Sequence, residues 1–183
     1  MARFRAAHPA VTVRVVEHDV SREFEQLVAA GTLDIAVTRM PASLAGLSSQ
    51  PLVREPIVLL VPPDHPLRER PGVWLRDLAD ENVVTMRPGY GLRELADRLW
   101  TAAGVRPRVV LETGQLSIVH GMVRAGMGVA LLPLLAVGGE TCVVAVCDDS
   151  AYRELGVVWR ETSQVSPPVA AFLRTLLEPA APE

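Results

Sequence analysis

Two spacings of apolar residues alternate from the start of the chain, and together they predict a strand, a helix and a second strand. Residues 11–16 are short and β-branched, which is typical of a strand. After Ser21, a candidate N-cap, apolar residues recur at the spacing of a helix face until Gly31 ends the pattern. Residues 33–38 form the next apolar run. The connection between the two strands is long enough for parallel pairing.

The alternation continues to the end of the chain. Further strands are predicted at residues 47–54, 57–61, 82–86, 108–112, 129–132, 141–146 and 155–159. Helices are predicted near 74–80, after the turn at 88–91, at 116–124, and after Ser166, with Pro167 at the first helical position. Apolar strands that alternate with helices indicate an α/β fold with largely parallel sheets.

The order of these elements predicts two lobes. One strand–helix–strand unit precedes Pro56, and a second α/β set occupies residues 57–149. The strand at 155–159 and the last helix can return to the first unit. We therefore expect lobe one at residues 1–55 plus 151–183 and lobe two at residues 56–150, joined by two crossings.

Composition excludes several classes of protein. The chain has 183 residues, of which 49% are hydrophobic, so it can bury a substantial core. No apolar run approaches the length of a bilayer span, and the N-terminus has no apolar signal region, so we expect a cytoplasmic protein without membrane contact. Cys142 and Cys147 are five residues apart along a predicted extended segment and so face opposite sides, which argues against a disulfide. The lack of a nearby histidine pair argues against a metal site.

Charge and motifs narrow the function. All 18 basic residues are arginine, the net charge is −3 and no basic cluster occurs, so this chain is a poor direct partner for nucleic acid. The four histidines lack metal-ligand spacing, and the chain contains no phosphate-binding loop, dinucleotide fingerprint or nucleophile elbow. We therefore expect no enzyme activity, no cofactor and no metal.

Six stretches, in this order and spacing, resemble the effector-binding domain of LysR-type transcriptional regulators. They are FRAAHPAVTVRVVE, LVAAGTLDIAVTRMP, PLVREPIVLLVPPDHPL, LRDLADENVV, MVRAGMGVALLP and LGVVWRE, and the resemblance extends over residues 4–177. It implies two Rossmann-like lobes of the type 2 periplasmic-binding-protein kind, with a small-molecule effector in the cleft. It also implies homodimers or higher homo-oligomers, formed through a lobe-one helix and a lobe-two strand, and a DNA-reading winged helix-turn-helix.

The chain departs from this family pattern in two ways. The helix-turn-helix is absent, so contact with DNA would run only through a domain outside this chain. The first strand of the effector-binding domain, which would precede residue 1, is missing too. We expect the strands at residues 11–16 and 33–38 either to close up or to leave a gap that another chain fills, because unpaired edges invite pairing.

The first candidate site lies at the end of the strand at residues 33–38. Thr38 ends this strand and Arg39 follows it, at the position where ligands of open α/β sheets bind. The planar fork of arginine suits a carboxylate, because it can donate two parallel charge-assisted bonds. The position also matches an effector contact of the resembled family. The alternative is that Arg39 pairs with Glu17 or Glu55 and supports the crossing.

The second candidate is the turn Arg87-Pro88-Gly89-Tyr90-Gly91. It joins a strand end to a helix start, whose exposed N–H groups and dipole attract anions. Gly89 and Gly91 allow a close backbone approach, and Tyr90 can stack on a ring or donate a hydrogen bond. The alternative is an ordinary turn with a surface tyrosine.

Two further groups are weaker candidates. Thr113 and Gln115 also lie between a strand end and a helix start, although Thr113 can equally be a helix cap. Asp19, Val20 and Ser21 precede the first predicted helix, and the Ser21 hydroxyl can be shared between the cap and a ligand.

The expected function is therefore effector sensing and oligomerisation within a LysR-type regulator, with a small organic acid as effector. A transporter's solute-binding protein is an alternative with the same architecture, but it would need a signal peptide or a lipobox. A small α/β enzyme is the other alternative, since catalytic triads can be scattered in sequence.

Overall fold

The computed structural model describes residues 1–17, 21–139, 142–161 and 165–178, without the side chains of residues 21 and 22. The chain divides into two compact units. Unit 1 comprises residues 1–53 and 154–183, and unit 2 comprises residues 54–153.

The described residues form six α-helices and seven strands. The helices are Ala2–Ala7 (α1), Ser21–Ala29 (α2), Gly91–Ala102 (α3), Leu116–Arg124 (α4), Leu134–Val137 (α5) and Pro167–Leu177 (α6). The strands are Ile35–Arg39 (β1), Leu47–Leu60 (β2), Asn82–Met86 (β3), Arg108–Thr113 (β4), Ala130–Pro133 (β5), Val143–Ala145 (β6) and Tyr152–Arg160 (β7). Two 3-10 helices lie at Pro66–Glu69 and Leu75–Leu78. The sequence pattern missed α1, α5 and the first of these 3-10 helices.

The predicted strand at residues 11–16 is wrong. Residues 11–17 have no regular secondary structure and join no ladder between described residues. α2 and β1 form as predicted, but β1 pairs antiparallel with β7, from Ile35 opposite Trp159 to Arg39 opposite Leu155. The predicted parallel unit is therefore wrong as well. β-branched residues favour a strand only where a neighbouring edge can receive their backbone bonds.

The sheets are less parallel than the sequence predicts. One sheet has the strand order β1-β7-β2-β5, and β6 also pairs with β2. The pairs β1–β7, β2–β5 and β2–β6 are antiparallel. In the described part of the chain, parallel pairing is limited to β3 with β4 and to two isolated bridges. Periodicity predicts which residues are buried, but it does not predict the direction of the neighbouring strand.

β2 continues through Pro56, where the sequence indicated a break between two strands. The amide of Ile57 donates to Ala151 O at 2.8 Å, so the amide position of residue 56 faces the other side of β2. On that side the ladder with β5 begins at Ile57. Pro56 therefore removes no ladder bond, which is the condition under which proline is tolerated in a strand.

The apolar run at the end of β2, residues 57–61, contributes side chains to two core clusters of unit 2, one on each face of the strand. Ile57, Leu59 and Val61 pack in one core cluster with the inner face of α3. Val58 and Leu60 pack in a second cluster with the inner face of α4. Since successive strand residues point to opposite faces, α3 and α4 cover opposite faces of the β2 run. A strand that is buried on both faces reads as a continuous apolar run.

Gly128 allows two backbones to meet beside β3. The Val129 amide donates to Asn82 O at 2.8 Å, and the Val84 amide donates to Val129 O at 2.9 Å. A Cβ at residue 128 would lie 2.3 Å from Asn82 O, which is backbone and has little freedom to move. Gly128, the last residue of the GMG stretch at residues 126–128, therefore has a packing role.

In unit 1, a buried carboxylate ties α2 to the loop that follows β1. Glu25 is 4% exposed, and its Oε2 accepts hydrogen bonds from the amides of Ser43 and Leu44 at 3.0 and 2.8 Å. The Ser43 hydroxyl donates to the same oxygen at 3.1 Å. Hydrogen bonds of this kind offset the loss of water around a buried carboxylate.

The last helix agrees with the sequence. α6 begins at Pro167 with Ser166 at the N-cap, although the Ser166 side chain makes no capping bond. Ala171 and Leu173 are among its buried residues. None of the helices in the described ranges has the length and apolar character to cross a membrane.

Two glycine substitutions test the packing. We expect Gly128→Ala to lower the free energy of unfolding by roughly 2 kcal/mol or more, because backbone must shift to admit the Cβ. Gly121→Ala, in the interior of α4 with nothing near the added Cβ, should instead raise it by up to about 1 kcal/mol. Urea denaturation measures both, and a neutral Gly128→Ala would contradict the close approach.

Candidate functional site

The parallel pairing of β3 with β4 brings two predicted site segments to one sheet edge. Met86 lies opposite Thr113 at the ends of the strands. The Arg87 amide continues the ladder by donating to Thr113 O at 2.9 Å. α3 begins four residues after Arg87, and α4 begins three residues after Thr113. Two turns that are distant in sequence thus lie side by side in unit 2, each leading into a helix.

Arg87 and Tyr90 form a side-chain pair at this edge. The Arg87 Nη2 donates to the Tyr90 Oη at 3.1 Å, and the guanidinium carbon lies 5.6 Å from the centre of the tyrosine ring. Arg87 is exposed and Tyr90 is half-buried. Gly89 has φ 91°, a left-handed conformation that favours glycine. The turn therefore presents a cation and an aromatic ring to one region of solvent.

Gly114 completes this arrangement, although it was not among the predicted site residues. A Cβ at residue 114 would lie 2.5 Å from the Arg87 Nη2 and 2.7 Å from the Tyr90 Oη. The arginine–tyrosine pair therefore lies directly over the backbone of the neighbouring turn. The glycine between Thr113 and Gln115 was the available signal, but only the pairing of β3 with β4 shows which side chains it admits.

Thr113 does not cap α4 in the way the sequence suggested. The N-cap is Gln115, and its side chain makes no capping bond. The Thr113 hydroxyl, in a residue that is 9% exposed, accepts from the Gln115 amide at 3.2 Å and so shapes the turn before the helix. Tyr90, the N-cap of α3, likewise makes no side-chain capping bond.

The two helix starts add a favourable field for an anion. The first-turn amides of a helix have no intrahelical acceptors, and the helix dipole places partial positive charge at that end. At this edge, both helices lack a capping side chain at the N-cap. Together with the Arg87 guanidinium, the edge can bind an anion, and the Tyr90 ring offers a flat apolar surface beside it.

Arg93 is a positioning residue that sequence reasoning missed. From the first turn of α3 its Nη1 donates to Met86 O at 3.1 Å and binds the Glu112 carboxylate, and its Nε donates to Asp97 Oδ1 at 2.8 Å. Its side chain is 16% exposed. Burial alone would lower the pKa of Arg93, but the bonds to Glu112 and Asp97 raise the pKa above its ordinary value. The Arg93–Asp97 spacing was the visible signal.

The remaining predicted residues belong to unit 1. Thr38 is 4% exposed, and its Oγ1 is buried without a hydrogen-bond partner in the described residues. Arg39, the last residue of β1, is half-buried and follows Thr38 on the opposite strand face. Ser21 is the first residue of α2, but its side chain, together with Asp19 and Val20, lies outside the described residues.

Glu55, one partner considered for Arg39, is held by other groups. Its Oε1 accepts from the Arg153 Nε at 2.6 Å, and its Oε2 accepts from the Leu135 amide at 2.7 Å. Both carboxylate oxygens are thus engaged within unit 2. The residues that the structure describes contain no group of three side chains suited to a metal ion.

A family model decides the identity of the fold. The LysR substrate binding domain model matches residues 1–181. The chain belongs to this family. Among curated relatives, it is 32% identical to the uncharacterized HTH-type transcriptional regulator YwbI of Bacillus subtilis, covering 93% of this chain and 58% of that protein. It is 30% identical to the uncharacterized HTH-type regulator YnfL of Escherichia coli, covering 97% of this chain and 61% of that protein.

Solved structures confirm the fold. The BenM effector binding domain with benzoate matches with a TM-score of 0.84 and 21% identity, over 96% of this chain and 81% of that one. The effector binding domain of QuiR in complex with shikimate matches with a TM-score of 0.81 and 19% identity, over 96% and 86%. This LysR substrate binding domain therefore has the predicted periplasmic-binding-protein-like α/β fold, while it spans about three-fifths of YwbI and YnfL.

The Arg93 network can be tested by substitution. We expect Arg93→Met to lower the free energy of unfolding by about 1–2 kcal/mol, a moderate loss because water already screens the half-exposed Asp97 and Glu112. Arg98→Met, at an exposed residue of the same helix, should change it by less than about 0.5 kcal/mol. Thermal denaturation measures both substitutions. If they lowered the free energy of unfolding equally, the stabilising role assigned to the Arg93 network would be contradicted.

Proposed function

We propose that this domain binds a small organic acid without converting it, and that the bound acid regulates transcription through a DNA reader in a longer protein. The observation that carries the proposal is the edge where β3 and β4 end. There Arg87, Tyr90 and the starts of two helices surround one region of unit 2.

The chemistry of the edge favours a carboxylate attached to a flat or apolar body. The Arg87 fork can donate to two carboxylate oxygens, and the helix amides can supply further donors. Tyr90 can cover the remainder of the ligand. The names of the structural neighbours are consistent with this class, since benzoate and shikimate are both carboxylates.

In unit 1, considered by itself, three further residues are proposed to contact an effector. Thr38, Arg39 and Ser21 carry over from the resemblance to the family, and the buried Thr38 hydroxyl supports the proposal. A buried hydroxyl without a partner calls for an explanation, and a ligand or a water molecule would provide one. We assign units 1 and 2 to the two lobes expected from the sequence.

Regulation requires more than binding. An effector changes the affinity for DNA only if it binds two arrangements of the regulator with different free energies. About two-fifths of the length of each of these two curated regulators is not covered by this chain. We therefore propose that this domain acts within such a longer protein, in the cytoplasm and as a homodimer or higher oligomer. An in-frame helix-turn-helix upstream in the gene would support this; a transporter operon without one would contradict it.

The anion site is tested with small carboxylates and their amides. In a panel that includes benzoate, shikimate and benzamide, we expect at least one acid, and not its amide, to raise the melting temperature. Arg87→Gln should then weaken that acid by at least about tenfold in calorimetry, because the charged fork is lost. Arg98→Gln is the matched control. Unchanged affinity in Arg87→Gln, or equal binding of the amide, would refute the site.

Arg39 is tested independently. Arg39→Ala should weaken the same acid by roughly 2 kcal/mol or more if the guanidinium binds it away from water. If Arg39 instead only supports the fold, the substitution lowers the melting temperature and leaves the dissociation constant unchanged. Mass spectrometry of the recovered acid checks that it is bound without being converted.

A further inference from the structure

The Tyr90 side chain is held at two points. Its ring packs against the second core cluster of unit 2, which contains Met86 and Val119. Its hydroxyl accepts a hydrogen bond from the Arg87 Nη2 at 3.1 Å. A side chain that is fixed both by packing and by a hydrogen bond presents its polar group in a defined direction before a ligand arrives. The Tyr90 hydroxyl is therefore oriented in advance.

The two tyrosines of the chain contact arginine in different ways. The Arg54 guanidinium carbon lies 3.7 Å from the centre of the Tyr152 ring, so this cation stacks on the ring. The Arg87 guanidinium carbon lies 5.6 Å from the centre of the Tyr90 ring, and its Nη2 reaches the hydroxyl. The Arg87–Tyr90 pair is therefore organised around the phenol oxygen rather than around the face of the ring.

This hydrogen bond decides where the Tyr90 hydroxyl proton points. A guanidinium has five N–H donors and no acceptor, so Arg87 can only donate to the phenol oxygen. The phenol proton is then directed at another acceptor, as are the remaining N–H groups of Arg87. The pair thus presents donors alone. The two oxygens of a carboxylate satisfy these donors, whereas the NH2 group of an amide would place donor against donor.

Gly114 keeps the two donors together. A Cβ at residue 114 would lie 2.5 Å from the Arg87 Nη2 and 2.7 Å from the Tyr90 Oη, so both atoms rest on the same point of the backbone. Both are the far ends of side chains. An alanine at residue 114 would therefore displace the pair, while the backbone could stay in place.

We propose that the Tyr90 hydroxyl, oriented by Arg87, donates to the carboxylate of the effector and determines the selectivity of the domain for an acid over its amide. The inference rests on the proposed function and deepens it. The proposed function requires the Arg87 charge and a covering ring, whereas this inference assigns the discrimination to the phenol proton. Gly114 is a positioning residue, because it acts only by allowing Arg87 and Tyr90 to meet.

The test compares two acid–amide pairs, benzoate with benzamide and shikimate with shikimamide, by NMR titration. We expect Tyr90→Phe to weaken the bound acid by at least about fivefold, because the acid loses a donor. The affinity for the amide should change by less than about twofold, because the amide does not satisfy both donors of the pair. Tyr152→Phe is the matched control. It removes the hydroxyl of a tyrosine whose ring carries the arginine, and should leave both affinities unchanged.

Gly114→Ala tests the positioning role. The ratio of the acid affinity to the amide affinity should fall by at least about threefold, while the melting temperature stays within about 3 °C. A methyl group that merely obstructed the site would weaken acid and amide alike, so the ratio separates the two effects. Gly121→Ala, where the added Cβ meets nothing, should leave the ratio unchanged.

Three results would overturn the inference while the proposed function stands. They are an unchanged acid affinity in Tyr90→Phe, equal losses for acid and amide in that variant, and an unchanged ratio in Gly114→Ala. If Tyr90→Leu weakened the acid but Tyr90→Phe did not, Tyr90 would act through its ring alone. If neither acid bound the wild-type domain, or if Arg87→Gln left the acid affinity unchanged, the proposed function would fail and this inference with it.

Discussion

The candidate site depends on one backbone constraint, the parallel register of β3 on β4. This register ends both strands at the same edge, with Met86 opposite Thr113 and the Arg87 amide bonded to Thr113 O. The turns after the strands then meet, so the Arg87 and Tyr90 side chains lie over Gly114. Because α3 follows β3 and α4 follows β4 after short turns, both helices start at this edge.

Buried charges hold the ends of the strands in unit 2. Arg93 joins the start of α3 to the ends of β3 and β4. Glu55 joins β2 to β7 through Arg153, and to α5 through the Leu135 amide. One residue earlier on each strand, the Arg54 guanidinium lies 3.7 Å from the Tyr152 ring centre. Arg93 and Glu55 each have several partners, which makes their burial tolerable.

Unit 1 shows that strand propensity alone does not make a strand. β1 gains all its described ladder bonds from β7, and the β-branched residues 11–16 gain none. Within the described residues, β1 is therefore paired on the side of β7 only. Residues 11–16 and 33–38 would show the same apolar pattern whether or not another strand lay between them. The sequence pattern therefore could not show whether residues 11–16 form a strand.

Several features follow from the sequence alone, because they depend on local spacing. The bounds of β3 and α4, the Ser166–Pro167 start of α6, and the turn from Arg87 to Gly91 all agree with the predicted elements. The family and fold were also recognisable from the order of six short stretches. Apolar periodicity and stop residues determine the element bounds over short stretches of chain, whereas the family was identified by resemblance.

Only the tertiary structure decided the direction of most strands, the continuity of β2 through Pro56 and the failure of residues 11–16 to form a strand. It alone placed Gly114 beneath Arg87 and Tyr90, and Arg93 between two strand ends. The physical reason is the same in each case. Backbone and charged groups are satisfied by partners far away in sequence, and local spacing carries no information about which edge or side chain will be the partner.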